Sequence, residues 1–266
     1  MQTIPSARIL IIFISVLLAA LFCLGAWAEE VSGFSSEEAA YLSTLTFFGE
    51  STTAHLKARG VLADGTHTKQ VWQDASGTKK LSARLLYDPI IDPETGKGLS
   101  PSAMCQKYKP SILVLSFGLN GITEFINDKE LYLQNYRKLI ETIQTASPST
   151  RILLQSVYPV TADCKTWSVD GKTVSGYTRT LNGWVKALAD EYPHVRYIDS
   201  ASVLTGADGC LVPTYDFSGD GIHLSADAYG KILTVLCREP WIDEGEKEPR
   251  RDGASEGRIL FGEGEK

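Results

Sequence analysis

Three short stretches carry residue types suited to acyl-transfer chemistry: Gly49-Glu50-Ser51, Gly118-Leu119-Asn120-Gly121 and Asp220-Gly221-Ile222-His223. A serine hydroxyl is a weak nucleophile until a base takes its proton, and that base in turn needs a carboxylate to orient it. Asp220 and His223 offer both within one turn. Their spacing lets the carboxylate reach Nδ1 while Nε2 faces outward, and Gly221 removes a side chain that would obstruct the turn. Asn120, flanked by glycines at a strand end, can aim its amide at an oxyanion. Each stretch also has a plainer reading. Ser51 suits a helix cap, Asn120 a turn, and Asp220 to His223 a surface turn before a helix. Only a fold that brings all three to one edge favours catalysis.

The surrounding sequence supplies such a fold. Residues 44–49 are β-prone and end in Gly, and His55, Leu56 and Lys57 follow Ser51 at helical spacing, which predicts a strand running into a helix. That junction sets Ser51 at the C-terminal edge of a sheet, beside helical N–H groups that favour negative charge. The apolar run 111–117 lies between Pro110 and Gly118, as in a strand covered on both faces. Further strands are expected at 151–157 and 194–199, with a short one at 70–73. Helices are expected from Ser35 to Leu42, from Pro101 to Lys107 and from Asp128 to before Pro148. Two more run through Leu181 to Leu188 and from the cap Ser225 through Leu236. Strands alternating with helices make a parallel sheet with helices on both faces, and ligands bind such sheets beyond the carboxyl ends of the strands.

Composition narrows the function classes. The 266 residues suit one globular domain, and a net charge of −6 with no Lys/Arg patch argues against a nucleic-acid partner. Residues 9–24 are almost wholly apolar, Arg8 precedes them, and Ala26-Trp27-Ala28 forms a small-x-small cleavage site. Residues 1–28 therefore read as a secretory signal, with retention as a membrane anchor the alternative. The expected location is secreted or in the cell envelope. The domain is expected at 29–240, followed by a Glu-, Gly- and Arg-rich disordered tail at 241–266. Of five cysteines, Cys23 falls in the signal, leaving Cys105, Cys164, Cys210 and Cys237. Cys164 and Cys210 lie in loops on the same sheet edge and are the expected disulfide.

The combination of Gly-x-Ser after the first strand, Gly-x-Asn after a central strand and Asp-x-x-His before the last helix resembles the SGNH (GDSL-like) hydrolase family. The resemblance spans nearly all of the mature domain. It implies a three-layer α/β/α, flavodoxin-like fold with a central parallel sheet. It also implies Ser51 as nucleophile, His223 as base and Asp220 as its orienting carboxylate. The oxyanion hole would use the Ser51 N–H, the Asn120 side chain and a glycine N–H from the segment before the central strand, Gly98 or alternatively Gly96. Two letters depart from the family's usual pattern. Gly-Asp-Ser is here Gly49-Glu50-Ser51, and the last carboxylate of Gly-x-Asn-Asp is replaced by Gly121.

Other residues weigh less. His55 lacks a carboxylate to orient it as a base, while His67 and His194 read as surface residues. Asp208, Asp216, Asp220 and His223 are spaced too loosely for an oxygen-rich cation loop. No metal or other cofactor is expected. A G-x-S-x-G elbow is excluded because position 53 is Thr. Trp72, Trp167, Tyr215 and Phe217 are candidates to line the cleft, with Trp167 and Tyr215 the expected substrate contacts. The expected activity is hydrolysis of a short acyl ester, such as acetyl on a glycan, through an acyl-enzyme on Ser51. The partner is then an ester-bearing small molecule or glycan. The alternatives are an envelope glycan O-acyltransferase and a non-catalytic glycan-binding module on the same fold.

Overall fold

Capping and hydrophobic period decide the elements. The structure is a computed structural model that describes residues 33–164, 168–169 and 172–241. The expected signal at 1–28, Trp167 and the tail beyond Trp241 lie outside the described residues. The order is α1 (Ser36–Ser43), β1 (Leu45–Gly49), α2 (Ser51–Ala58), β2 (Val71–Trp72), β3 (Ile90–Ile91), β4 (Gly98–Leu99) and α3 (Pro101–Tyr108). Then follow β5 (Ile112–Ser116), α4 (Ile122–Phe125), α5 (Lys129–Ala146), β6 (Arg151–Gln155), β7 (Ser168–Val169), β8 (Lys172–Thr173), α6 (Ser175–Ala189), β9 (Val195–Ile198) and α7 (Ala226–Arg238). Ser35 and Glu38 form a capping box at the start of α1. Ser100, Asp128 and Ser225 each accept a backbone N–H at the start of α3, α5 and α7.

The main sheet runs in the order β2-β1-β5-β6-β9, every neighbouring pair parallel. Alternate side chains along each strand serve opposite cores. Leu113, Leu115, Ile152 and Leu154 pack with α3, α5 and α6, whereas Ile112, Val114 and Leu153 pack with α1, α2 and α7. Burying each such Leu, Ile or Val stabilises by about 1.5–3 kcal/mol, which makes the strand ends rigid supports. Gly49 is paired with Ser116, so β1 and β5 finish level with each other and deliver Ser51 and Asn120 to one edge.

Trp241, assigned to the tail from sequence, belongs to the domain instead. It is only 7% exposed, its N–H donates to the Tyr41 hydroxyl at 3.1 Å, and the Arg196 guanidinium lies 4.3 Å from its ring centre.

Candidate active site

Gly49 fixes the corner at which the site is built. A Cβ at this position would stand 2.1 Å from Thr53 Oγ1 and 2.4 Å from the Ser116 carbonyl oxygen. Only glycine therefore lets the end of β1, the end of β5 and the first turn of α2 come so close. Ser51 is the first residue of α2, and its N–H makes no hydrogen bond among the described residues. That leaves a donor at the positive end of the helix beside its own hydroxyl.

The residue before it does something the sequence leaves open. Glu50 is the N-cap residue of α2, but its side chain makes no capping bond. It crosses instead to the turn after β5. Oε1 accepts the Gly118 N–H at 2.8 Å, and Oε2 accepts those of Leu119 and Asn120, each at 3.0 Å. Glu50 is 3% exposed. Burial pushes its carboxyl up to about 8, opposed by those three N–H groups and by Lys80. The buried carboxyl thus ties the Ser51 corner to the Asn120 turn. The same turn is gripped from its other side by Tyr132 and Tyr136, whose hydroxyls donate to the Phe117 carbonyl at 2.9 and 3.0 Å.

Asn120 Nδ2 donates to the Lys79 carbonyl at 3.0 Å. An amide nitrogen carries two hydrogens, so this bond fixes the side chain and leaves one donor. Lys79 is itself buried, with Nζ donating to the Pro89 carbonyl at 2.9 Å.

Asp220 and His223 reach Ser51 from the loop before α7. Asp220 Oδ1 accepts the N–H groups of Ile222 and His223 at 2.8 and 2.9 Å. Its Oδ2 lies 2.6 Å from His223 Nδ1, and His223 Nε2 lies 3.1 Å from Ser51 Oγ. The carboxylate places the imidazole proton on Nδ1, so Nε2 is left to accept from the serine hydroxyl. Burial disfavours the charged Asp220, but the backbone and ring of His223, the Ile222 N–H and the Ser218 hydroxyl outweigh it. They hold the carboxyl well below the usual carboxylate range.

The loop is shaped for this. Gly221 has φ +80°, and a Cβ there would stand 2.4 Å from Thr161 Oγ1 and 2.8 Å from Cys164 Cβ. Asp216 is spent on the turn, accepting the N–H groups of Ser218, Gly219 and Gly221. The loop is also fastened to α2, since the Arg59 guanidinium lies 3.3 Å from the Phe217 ring centre and its Nε donates to the Leu224 carbonyl.

A cleft of about 490 Å³ opens in front of Ser51 and His223. Its other walls are Ala54, His55, Lys57, Ala58, Thr66, Gln73, Ala75, Ser76, Gly77 and Thr78, among which no aliphatic side chain exceeds Ala.

Several sequence expectations are corrected here. Gly98 is an exposed residue of the β3–β4 hairpin, packed against Pro89, and Gly96 is the turn of that hairpin. The glycine lining the cleft is Gly77, whose N–H is held by Asp74 Oδ1 at 2.6 Å. The signal for it was the turn-forming run Asp74-Ala75-Ser76-Gly77 directly after β2, on the same sheet edge as Ser51. Tyr215 packs against the core under α7 instead of lining the cleft, and Trp72 is 2% exposed in the core. Cys164 and Cys210 are both free thiols. Cys164 Sγ faces the Asp220 carbonyl at 3.5 Å.

The architecture is thus a parallel α/β/α fold that brings Ser51, Asn120, Asp220 and His223 to one sheet edge. The family model for GDSL-like lipases and acylhydrolases matches residues 47–231, and the chain belongs to that family. A comparison with curated proteins found no match. Among solved structures, it is similar to a GDSL-like lipase from Bacteroides thetaiotaomicron VPI-5482, at 15% identity and a TM-score of 0.46, covering 78% of this chain and 90% of that one. It is also similar to a family two carbohydrate esterase from Clostridium thermocellum in complex with cellohexaose, at 15% identity and 0.48, covering 73% and 62%. A third is the periplasmic domain of a lipopolysaccharide acetyltransferase from Salmonella ser. Paratyphi A, at 15% and 0.48, covering 73% and 82%.

Proposed function

We propose that the protein is an exported serine esterase that removes a short acyl group, such as acetyl, from a glycan through a covalent intermediate on Ser51. The observation that carries this reading is the hydrogen-bonded row Asp220 Oδ2–His223 Nδ1 at 2.6 Å and His223 Nε2–Ser51 Oγ at 3.1 Å. As Ser51 Oγ attacks the ester carbonyl, its proton passes to His223 Nε2, and Asp220 stabilises the imidazolium through Nδ1. The carbonyl oxygen becomes an oxyanion, met by the Ser51 N–H and the remaining Asn120 amide hydrogen. Collapse expels the alcohol, which takes the proton from Nε2. Water, deprotonated by the same nitrogen, then releases the acid and restores Ser51.

The short acyl group and polar alcohol are supported by the cleft walls, which among the described residues offer hydroxyls, an amide and a lysine and no aliphatic side chain larger than Ala. Export is supported by the apolar run 9–24 ahead of Ala26-Trp27-Ala28. A series of acyl esters of increasing chain length, assayed with the wild type and Ser51→Ala, tests the reading. Hydrolysis is expected to be fastest for acetyl and to vanish in the variant. Equal turnover by the two proteins overturns the mechanism, and a preference for long chains overturns the substrate.

A further inference from the structure

His55 lies one helical turn beyond Ser51 on α2 and has no part in the relay. Its ring nevertheless lies against the base, with the His55 and His223 ring centres 4.4 Å apart and the planes inclined by 35°. Helix α2 therefore holds His223 in two places, by the Ser51 hydroxyl at Nε2 and by the His55 ring against its face. Nδ1 of His55 is buried without a hydrogen-bond partner among the described residues, so this ring is not oriented through that nitrogen.

From this contact, and resting on the esterase reading above, we infer that His55 is a positioning residue, an uncharged platform that keeps the His223 imidazole turned toward Ser51. Its neutrality matters because His223 becomes a cation when it takes the serine proton, and a second cation at this range would oppose that step. Burial, then the nearby His223 and Arg59, hold His55 down to about 4, against a smaller opposing pull from Asp220. The charged groups around it are Asp220 and His223 from the loop before α7, with Arg59 and Lys57 on its own helix. The facing stretch of the cleft contributes Gln73, Ser76 and Thr78, none of them charged, while the one acid of that stretch, Asp74, accepts from the Gly77 N–H and the Ser76 hydroxyl and pairs with Lys79.

The test compares His55→Ala, which removes the platform, with His55→Phe, which keeps an uncharged ring, each in the full chain and each checked by thermal melt. On a short-chain acyl ester, kcat is expected to fall about three- to tenfold in the Ala variant with KM unchanged, the range set by an aromatic pair of this kind. The Phe variant is expected to stay within about twofold of wild type. Carbon-13 labelling of the histidines gives a readout independent of turnover: the ring-current shift on His223 should disappear in the Ala variant and persist in the Phe variant. An Ala variant with wild-type kcat overturns the inference. So does a Phe variant as impaired as Ala, which would assign the loss to a nitrogen that contacts substrate. If no form of the protein hydrolyses the ester, the esterase reading fails. The His223 signals then decide the role of His55 alone: unchanged signals in the Ala variant refute it, and loss of the shift supports it.

Discussion

Replacing Glu50 by Ala tests how the site is held together, because the side chain is bonded to none of the residues lining the cleft yet ties the Ser51 corner to the Asn120 turn. The substitution leaves three N–H groups without their acceptor, those of Gly118, Leu119 and Asn120. Asn120 is partly exposed, so water can serve its N–H, whereas Gly118 and Leu119 are buried. Two orphaned donors at about 1–3 kcal/mol each give a loss of ~4 kcal/mol. Removing a carboxyl that burial already disfavours returns part of this, leaving about 3 kcal/mol. For a domain of this size that lowers Tm by about 6–12 °C. Turnover should fall as well, since the Asn120 turn loses its tie to the Ser51 corner. The assay is a thermal melt followed by circular dichroism, paired with acetyl-ester hydrolysis well below the new Tm. A Tm within about 2 °C of wild type, with unchanged turnover, would refute the bracing role. Glu50→Gln adds a sign test. The folded carboxyl is raised to about 8, so between its ordinary value and 8 the folded state retains a proton that the unfolded chain has lost. Glu50 therefore contributes a stability that is greatest below its unfolded value, declines as pH rises toward 8 and is level above it. The Gln variant should lack that decline, and a decline persisting there would contradict the assignment.

Two further substitutions probe the chemistry. Asp220→Asn keeps the shape but lets the wrong His223 tautomer form, so kcat should drop on the order of 10⁴-fold. The Asp220 carboxyl is held low in the folded state, so its stabilising contribution is present above its unfolded value and lost as the pH falls toward the folded one. The melting difference between wild type and Asp220→Asn should accordingly be level above about pH 4 and shrink progressively as the pH is lowered from there, and a difference that stays constant would reject that linkage. Asn120→Ala should lower kcat about 10²–10³-fold with little change in KM if its amide meets the oxyanion. A change in KM alone, measured by steady-state kinetics, would instead place the residue in ground-state binding.

The elements that position the site were legible because their patterns are local. The continuous apolar run at β5, the stripe of Tyr132, Tyr136, Leu139, Ile140 and Ile143 on α5, and the caps Ser35, Asp128 and Ser225 announce strands and helices directly. The order of Ser51, Asn120, Asp220 and His223 along the chain was legible for the same reason, each sitting just past a strand or just before a helix. What depended on approach between distant segments was not. Glu50 and the N–H groups of Gly118 to Asn120 are joined across about seventy residues, and no spacing rule reveals such a pair. In the long β2–α3 segment the reading fell on Gly98 and Gly96, which belong to the β3–β4 hairpin, and the turn run ending in Gly77 beside Ala54 was passed over because nothing local shows which glycine meets α2. The cysteine arithmetic failed because an even count states nothing about direction, and Cys164 points at the Asp220 carbonyl. The aromatic residues divided by burial, with Trp72 in the core and Phe217 under Arg59.

The most direct measurement is the mass of the full chain after brief incubation with a short-chain acyl ester or an organophosphonate, for the wild type and Ser51→Ala. A single adduct that maps to Ser51 in the wild type and is missing from Ser51→Ala is the result expected of a nucleophile activated by His223 and Asp220. Hydrolysis of the ester by a wild-type chain that carries no adduct at Ser51, or equal labelling of both proteins, would contradict it.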